Sequence, residues 1–310
     1  MNNVSSSVPV PISVCICTFK RPAGLKATLD SVLAQAVPAT TTIEVVVVDN
    51  DPAASARDLV QALRMGNPSL QLVYANETEP GVSFARNRCL LEAQGAWVAF
   101  IDDDEIASAN WLTTLVSAAQ SYSADAVFGP VLPIYEMQPP DWLVDGGVVS
   151  RGRFASGTPV SWPDARTGNV LMSRRLVAAV GKFDVRFAKT GGEDSLFFAR
   201  AQAQAFKMVW CDEATVDETV PIARMNQKWI LRRAFLGGRT FTRLRATLFG
   251  QQEYIKWTLH GFAMIAVYSV PAVVMWGFKL KGWLYYLRKI AGATGKIVAP
   301  FYGAGEYGGG

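Results

Sequence analysis

The hydrophobic pattern of the first hundred residues alternates between two periods. Short apolar, β-branched runs predict strands, and the stretches between them repeat apolar residues at helical spacing. Strands that alternate with helices of this length predict βαβ units, and therefore a mostly parallel sheet with helices on both faces. The predicted strands cover residues 12–17, 43–50, 70–76 and 96–101, and the predicted helices cover residues 21–35, 55–64 and 83–94.

The same alternation continues more weakly toward residue 225. A loop rich in Gly and Pro runs from Trp142 to Trp162, and a strand at 169–173 with a short helix follows it. A helix is predicted after Gly191-Gly192, and residues 207–218 predict one closing strand. The pattern places a catalytic-type α/β domain in residues 1–225.

Polar side chains follow each of the first four strands where the strand ends. Thr18 and Arg21 follow the first, Asp49 the second, Asn76 the third and Asp102 the fourth. In open parallel sheets, ligands bind outside the carboxyl ends of the strands. Helix capping would account for one or two of these polar ends, so their convergence on one edge favours a ligand site.

The fourth strand runs directly into four acids, Asp102-Asp103-Asp104-Glu105. Neighbouring carboxylates repel and raise each other's pKa unless a cation is present. The cluster therefore predicts a positively charged partner at the end of the fourth strand.

The chain becomes basic and apolar after residue 225. Glu253 is the one acid from Lys228 to Lys296, and no charge occurs from Thr258 to Phe278. A basic helix beside an apolar run of this length predicts helices associated with a membrane in residues 226–300. Positive flanks on both sides favour a bent, re-entrant or in-plane pair over a simple span, and a buried helical hairpin is the alternative. Residues 301–310 predict a flexible glycine-rich tail.

Overall composition sets limits on the functions open to the chain. The net charge of +4 over 310 residues is too small to indicate nucleic-acid binding, and no base-stacking motif is present. Cys15, Cys17, Cys89 and Cys211 have only His260 as a possible metal partner, so reduced core cysteines are expected. The first residues do not form a secretory signal, and a cytoplasmic location is expected.

Five motifs carry a resemblance to a known family. In chain order they are VCICTFKRP, VVVVDND, GVSFARNRC, FIDDDE and GGEDSLFFAR. Together they resemble family 2 glycosyltransferases with the Rossmann-like GT-A fold, in particular bacterial enzymes that build exopolysaccharide repeat units on a lipid carrier. The resemblance covers roughly residues 10 to 240.

The resemblance assigns the donor half of the site. It implies that Asp102 lies near the ribose and the metal, and that Asp104 binds Mn²⁺ or Mg²⁺ directly. Asp103 would support the nucleotide, and Asp49 would bind the donor base. The remaining implied nucleotide contacts are Thr18, Arg21 and Arg86.

The resemblance also assigns the chemistry. It implies that Asp194 is the base of a single inverting displacement, assisted by Glu193. Gly192 would let the backbone approach the sugar, and Asn169 would contact the donor sugar or the acceptor. Helix capping is the alternative role for both acids, because the helix dipole favours acids in a first turn.

Acceptor and location follow from the same resemblance. It implies a UDP-hexose donor, a polyprenyl-diphosphate-linked oligosaccharide acceptor, and a place at the cytoplasmic face of the plasma membrane. NQKWILRR departs from the Gln-x-x-Arg-Trp signature of processive synthases, so one sugar per event is predicted. A polyprenyl-phosphate glycosyltransferase and a non-catalytic nucleotide-sugar or glycan-binding module remain alternatives. Charge placement alone assigns the lipid diphosphate to Arg232, Arg233, Arg239, Arg243 and Arg245.

Overall fold

The computed structural model describes residues 10–38, 41–145, 152–278, 280 and 282–301. Beyond Phe301, the glycine-rich tail predicted for residues 301–310 lies outside the described residues, as do the flanking Lys279 and Lys281.

The strands are β1 (Val10–Thr18), β2 (Thr41–Asp49), β3 (Gln71–Asn76), β4 (Trp97–Phe100), β5 (Glu105–Ala107), β6 (Ala126–Phe128), β7 (Val131–Tyr135), β8 (Val170–Ser173), β9 (Met208–Trp210) and β10 (Val216–Val220). The helices are α1 (Pro22–Leu33), α2 (Arg57–Gly66), α3 (Val82–Glu92), α4 (Trp111–Ser121), α5 (Asp141–Asp145), α6 (Arg174–Val180), α7 (Glu193–Ala203), α8 (Gln227–Phe249), α9 (Gln252–Gly277) and α10 (Trp283–Val298). One-turn 3₁₀ helices lie at Val185–Phe187 and Ile222–Arg224.

The chain folds into two compact units. The first comprises Met1–Leu132, Gly152–Ala188 and Glu193–Glu218, and the second comprises Pro133–Arg151, Lys189–Gly192 and Thr219–Gly310. A catalytic domain over residues 1–225 stays a prediction.

The first unit is built on a seven-stranded sheet in the order β3-β2-β1-β4-β8-β6-β9. Every pairing is parallel except those of β8, which runs antiparallel to β4 and β6. The predicted mostly parallel α/β fold is confirmed.

The run of valines in β2 shows why both faces of this sheet are covered. Val45 and Val47 pack into the core on one face, while Val46 and Val48 pack into the core on the other. All four side chains are fully buried. A strand buried on both faces needs continuous rather than alternating hydrophobicity, as the sequence pattern indicated.

The single closing strand predicted for 207–218 is wrong. β9 joins the seven-stranded sheet beside β6, whereas β10 pairs antiparallel with β5. Between β9 and β10 the chain turns, and the Ala214 amide donates to the Cys211 carbonyl. The break has a packing reason, because the Asp212 amide donates to the Ser156 hydroxyl at 2.8 Å instead of to a neighbouring strand.

In the second unit, Thr258–Phe278 does not form a bent pair. Most of it lies in the single helix α9, which continues through Pro271. Proline removes one backbone hydrogen bond from a helix interior, and the rest of this helix is retained. Only 11% of its most apolar 18-residue window is buried, so α9 is not a core helix of this chain.

Asp184 forms pH-dependent ion pairs within the first unit. Its carboxylate accepts from Arg186 at 2.7 Å and from Arg200 at 3.1 Å, and its carbonyl accepts from the Ser83 hydroxyl. The hydrogen bond from Arg186 lowers the pKa of Asp184 to about 2, against burial, which acts to raise it. A depressed folded-state pKa contributes stability that is present above the unfolded value of about 3.9 and is lost as pH falls toward the folded value.

Asp184→Asn should therefore lower the free energy of unfolding by about 1 kcal/mol at pH 7, a figure discounted for solvent screening of the exposed arginine. The difference from the wild type should shrink between pH 4 and pH 3. Urea midpoints of both proteins across this range measure it, with the exposed Asp58→Asn as control. A difference that stays constant with pH would rule out the ion pairs as its source.

Candidate active site

The carboxyl edge of the parallel strands brings the predicted polar residues together. Thr18 pairs in register with Asp49, and Asp49 with Asn76, so these strand ends are level. The Asn76 amide donates to the carbonyls of Asp49 and Asp51, which ties the second and third strand ends together.

Asp103 is the buried member of the acid cluster. Its carboxylate accepts from the Thr18 hydroxyl at 2.7 Å and from the Arg21 guanidinium at 3.2 Å. Burial raises the pKa of Asp103, while Thr18 and Arg21 act against this rise. Asp103 therefore holds the acidic loop to the loop that follows β1.

Asp104 and Asp102 are the more accessible acids. Asp104 pairs with Arg21 at 3.0 Å and its side chain is 22% exposed, whereas that of Asp102 is 44% exposed. Burial acts to lower the pKa of Arg21, but Asp103 and Asp104 outweigh it and raise that pKa. Arg21 thus offsets part of the negative charge of the cluster.

Glu105 and Gly168 shape the space around Asp102. The Asp102 amide donates to the buried Glu105 carboxylate at 2.9 Å, which fixes the turn after β4. A Cβ at Gly168 would lie 2.8 Å from Glu105 Oε1 and 3.1 Å from Asp102 Oδ2. A side chain at this position would therefore crowd both carboxylates, so the close approach of residue 168 to Asp102 requires glycine.

Arg86 connects the acid cluster to α7. This buried guanidinium donates to Glu193 through Nη1, and its Nη2 lies 3.8 Å from Asp102 Oδ1. Burial acts to lower the pKa of Arg86, but the carboxylates of Glu193, Asp102 and Asp194 outweigh it and raise that pKa. Arg86 is therefore a fixed cation among three acids.

Glu193 is buried at the start of α7. Its Oε2 is buried without a hydrogen-bond partner, while Oε1 accepts from Arg86. Burial raises the pKa of Glu193, Arg86 opposes the rise, and Asp194 adds to it. The Arg86–Glu193 pair thus fixes the first turn of α7 beside the acid cluster.

Asp194 follows in the same first turn and is half-buried. Its Oδ1 accepts from the Ser195 amide at 2.6 Å. The preceding Gly192 has a φ of 97°, a backbone conformation that side chains other than glycine rarely adopt. The glycine therefore sets the direction from which the chain enters the helix that carries Asp194.

Two residues predicted to contact a ligand make hydrogen bonds within the protein. Asp49 is fully buried, and its carboxylate accepts from the amides of Asp51 and Ala56 and from the Tyr74 hydroxyl. Burial and Asp49 raise the pKa of Tyr74 to about 12, so that hydroxyl remains a donor. Asp49 therefore stabilises the turn after β2, and its base-binding role stays a prediction.

Asn169 is the second of these residues. It is fully buried, and its amide nitrogen donates to the carbonyls of Pro130 and Ala214 at 2.9 and 2.7 Å. Its amide oxygen accepts from the Trp111 indole at 2.7 Å. Both amide protons are used within the core, so Asn169 organises the strand ends, and its contact with the donor sugar or the acceptor stays a prediction. Its φ of 60° also explains why β8 begins one residue later than predicted.

The five arginines predicted to bind lipid diphosphate all lie on α8, in the second unit. Arg232 and Arg233 are exposed, and Arg233 stacks on Trp229. Arg245 is engaged by Glu253 at 2.8 Å and stacks on Phe249. Arg239 and Arg243 border a very small space next to Thr190. Of these five arginines, two line that space and the other three do not.

Sequence reasoning missed Gly168 and the role of Glu105. Both contact or border Asp102, yet Gly168 is distant in sequence and appears only as part of TGN. The signal that identifies it is the three-dimensional approach to the acid cluster.

Comparison with known proteins resolves the family. Residues 13–181 match the glycosyl transferase family 2 domain. The chain belongs to glycosyl transferase family 2. It is therefore a glycosyltransferase, and the general mechanism of this family inverts the configuration at the transferred sugar.

Two relatives match most of the chain. The succinoglycan biosynthesis protein ExoM of Rhizobium meliloti (strain 1021) is 37% identical over 241 residues, covering 76% of this chain and 75% of ExoM. The glucosyl-dolichyl phosphate glucuronosyltransferase of Haloferax volcanii is 25% identical over 239 residues, covering 73% of this chain and 75% of that protein.

Solved structures confirm the GT-A-type fold. The mannosyltransferase PcManGT from Pyrobaculum calidifontis, in complex with GDP-Man and Mn²⁺, superposes with a TM-score of 0.64 at 19% identity, covering 95% of this family 2 chain and 88% of that one. S. aureus TarS 1-349 in complex with UDP gives a TM-score of 0.54 at 19% identity, covering 92% and 89%. At these identities the likeness concerns the fold alone.

Proposed function

We propose that this family 2 enzyme transfers a single sugar from a nucleotide-sugar, a UDP-hexose, to a lipid-linked oligosaccharide in bacterial exopolysaccharide or surface glycan synthesis. The observation that carries the proposal is the cluster in which Arg86 joins Asp102 to Glu193, one residue before Asp194. The name of ExoM supports the pathway class, and the name of the haloarchaeal relative supports a phosphate-linked lipid carrier.

The acid cluster fits a divalent cation completed by the donor. Among the described residues, no three acidic, His or Cys side chains form a closed metal cage. Mg²⁺-type sites commonly use one or two carboxylates together with substrate phosphates. Asp102 and Asp104 would supply those carboxylates, and the side chain of Asp102 is 44% exposed. When bound, Mn²⁺ or Mg²⁺ neutralises the charge of the leaving diphosphate.

The protein groups then divide the displacement between them. Asp194 accepts the proton of the acceptor hydroxyl. At the same time the oxygen of that hydroxyl bonds to the sugar C1, and the bond from C1 to the diphosphate oxygen breaks. Attack opposite the leaving group inverts the configuration at C1. Arg86 and Glu193 fix the helix start that carries Asp194, and Arg21, Thr18 and Asp103 hold the acidic loop.

Helix α9 supports a place at the membrane. It has the length and composition to cross a bilayer, and most of its apolar window is exposed. We place the enzyme on the cytoplasmic side, where nucleotide-sugars are made. Transfer of one sugar per event rests on NQKWILRR, in which the Asn226 side chain caps α8 by accepting from the Trp229 amide.

A donor panel tests the proposed function. Detergent-purified protein is incubated with UDP-, GDP- and dTDP-sugars, with Mn²⁺ or with EDTA, and nucleotide release is measured. We expect slow release from one UDP-sugar with metal, and none with EDTA or with Asp104→Ala. Release from no donor, combined with no donor binding, would contradict the assignment of the acid cluster.

Gly168→Ala probes the space beside Asp102. The added Cβ would crowd the carboxylates of Asp102 and Glu105, and overpacking of this kind displaces neighbours or costs about 1–3 kcal/mol. The Mn²⁺ concentration for half-maximal nucleotide release should rise about tenfold, since about 1.4 kcal/mol corresponds to that factor. Gly66→Ala, where a Cβ meets nothing within 4 Å, is the matched control. An unchanged Mn²⁺ requirement in Gly168→Ala would show that the surroundings of Asp102 at residue 168 do not affect metal binding.

A further inference from the structure

The second unit contains a groove that none of the predicted arginines lines. It has a volume of about 640 Å³, within the usual range of ligand sites, and helices α8, α9 and α10 supply its walls. Helix α10 lines the groove with three basic residues, Arg288, Lys289 and Lys296, and with Gly292. The groove is thus both roomy and basic.

Small residues on α8 create the floor of this groove. A Cβ at Gly238 would lie 2.0 Å from the Gly292 carbonyl oxygen, so the backbones of α8 and α10 touch there. One position earlier, a Cβ at Gly237 meets nothing within 4 Å, and this residue faces the open space. Gly238 therefore allows the backbones of α8 and α10 to touch, and Gly237 leaves the adjacent part of the groove unfilled.

Lys296 places a cation against apolar groups in the groove. Its ammonium lies 4.7 Å from the Trp257 ring centre, 5.3 Å from that of Phe241 and 3.6 Å from Met264 Sδ. Burial and the nearby Lys289 lower the pKa of Lys296. Aromatic rings stabilise a cation only partly, so an anion would be favoured beside this group.

The one acid on helices α8 to α10 already has cationic partners. Glu253 is the one acid between residues 228 and 296, and it pairs with Arg245 at 2.8 Å and Lys256 at 3.6 Å. Among the described residues, no carboxylate forms a salt bridge with Lys289 or Lys296, and Lys289 contacts the Tyr285 ring. Charge complementarity at the groove therefore favours an anionic ligand.

An apolar surface begins next to the groove. Met264 borders the groove on α9, and Val267, one turn further along, is exposed. The exposed stripe continues through Val270, Val273 and Trp276. A ligand with an anionic head and a hydrocarbon chain matches a basic groove that opens onto such a stripe.

We propose that this groove binds the phosphate or diphosphate group of the lipid-linked acceptor, with its hydrocarbon chain along the exposed face of α9. The identity of the lipid as the acceptor rests on the proposed function. Lys289 and Lys296 supply charge, and Gly237 supplies space.

Binding of farnesyl diphosphate to the full-length protein in detergent micelles tests the proposal. The groove variants are the double variant Lys289→Gln/Lys296→Gln and the space-filling Gly237→Trp. The matched controls are Lys256→Gln, which removes a charge elsewhere on the same helices, and Gly66→Trp, another glycine with open space. Both groove variants should raise the Kd about tenfold or more, a loss typical of removing charge pairing or filling a site. Both controls should stay within about twofold of wild type.

Inorganic pyrophosphate and micellar phosphatidylglycerol identify the source of the phosphate. Each should bind at least about tenfold more weakly than farnesyl diphosphate. Equal binding of pyrophosphate would overturn the lipid assignment, and equal binding of phosphatidylglycerol would overturn the acceptor assignment in favour of the bilayer. Unchanged affinity for farnesyl diphosphate in both groove variants would overturn the site itself.

Donor chemistry distinguishes this failure from that of the proposed function. The residues assigned to the metal and the nucleotide lie in the first unit, so the groove variants should retain UDP binding and slow nucleotide release. If release persists while the groove variants bind farnesyl diphosphate normally, the groove assignment fails and the proposed function stands. If no donor is bound or consumed by the wild type, the proposed function fails whatever the groove binds.

Discussion

Asp194→Asn should lower the rate of sugar transfer about a thousandfold while leaving the affinity for the donor within about twofold. General-base catalysis contributes about 10²–10⁴-fold to a rate. Asparagine retains the size of aspartate but cannot accept a proton at neutral pH, so the acceptor hydroxyl would have to attack without help. Asp194 is in the first turn of α7, held by the Ser195 amide, and a neutral amide oxygen can keep that hydrogen bond.

The matched control is Ser195→Ala, which removes a hydroxyl 3.4 Å from the Asp194 carboxylate and keeps the amide donor. Its transfer rate should stay within about threefold of wild type, because a side-chain hydrogen bond contributes about 0.5–1.5 kcal/mol or less at this length. Single-turnover transfer and titration with UDP in Mn²⁺ measure the two quantities. Full transfer activity in Asp194→Asn would assign the acid to helix capping and leave the base elsewhere.

Arg86→Met should lower the free energy of unfolding by about 3–5 kcal/mol, because removing one partner of a buried ion pair leaves an uncompensated charge. Glu193 has one carboxylate oxygen bonded to Arg86 and the other buried without a partner. Without the guanidinium, this carboxylate would have to be neutralised or rehydrated. Urea unfolding of the protein in detergent, followed by fluorescence and compared with wild type, measures the loss.

The double variant Arg86→Met/Glu193→Leu distinguishes two contributions to stability. One is the loss caused by leaving a single buried charge unpaired, and the other is the net contribution of the ion pair itself. Replacing both charges with apolar groups of similar size is often nearly neutral. The double variant should therefore recover most of the stability lost in Arg86→Met, while donor binding stays impaired because Asp102 has lost its neighbouring cation. A single variant as stable as wild type would show that the pair is already open to water.

The parallel sheet and the acid cluster could be predicted because their signals are local. The valines of β2 and the apolar run before Asp102 need only a few neighbouring residues to be interpreted. The family resemblance then correctly identified a glycosyltransferase with a GT-A fold.

The internal hydrogen bonds of Asp49 and Asn169 could not be predicted because their partners come from other parts of the chain. Tyr74 reaches Asp49 from the adjacent strand, and Trp111 reaches Asn169 from a helix 58 residues away in sequence. Polar residues at strand ends look alike in sequence whether they bind a ligand or the protein's own backbone. The basic groove was missed for the same reason, since its cations on α10 acquire their setting only from Phe241 and Met264 of the neighbouring helices.

Mn²⁺ binding with and without UDP, followed by the loss of the free Mn²⁺ signal in electron paramagnetic resonance, tests the central claim most directly. In wild type, UDP should tighten Mn²⁺ binding at least about tenfold, because the diphosphate completes the ligand set. Asp102→Asn and Asp104→Asn should each abolish that gain. The exposed Asp58→Asn should retain it. Wild-type Mn²⁺ binding in the presence of UDP in both Asp102→Asn and Asp104→Asn would show that the acidic end of β4 does not hold the donor through a metal ion, and would contradict the account.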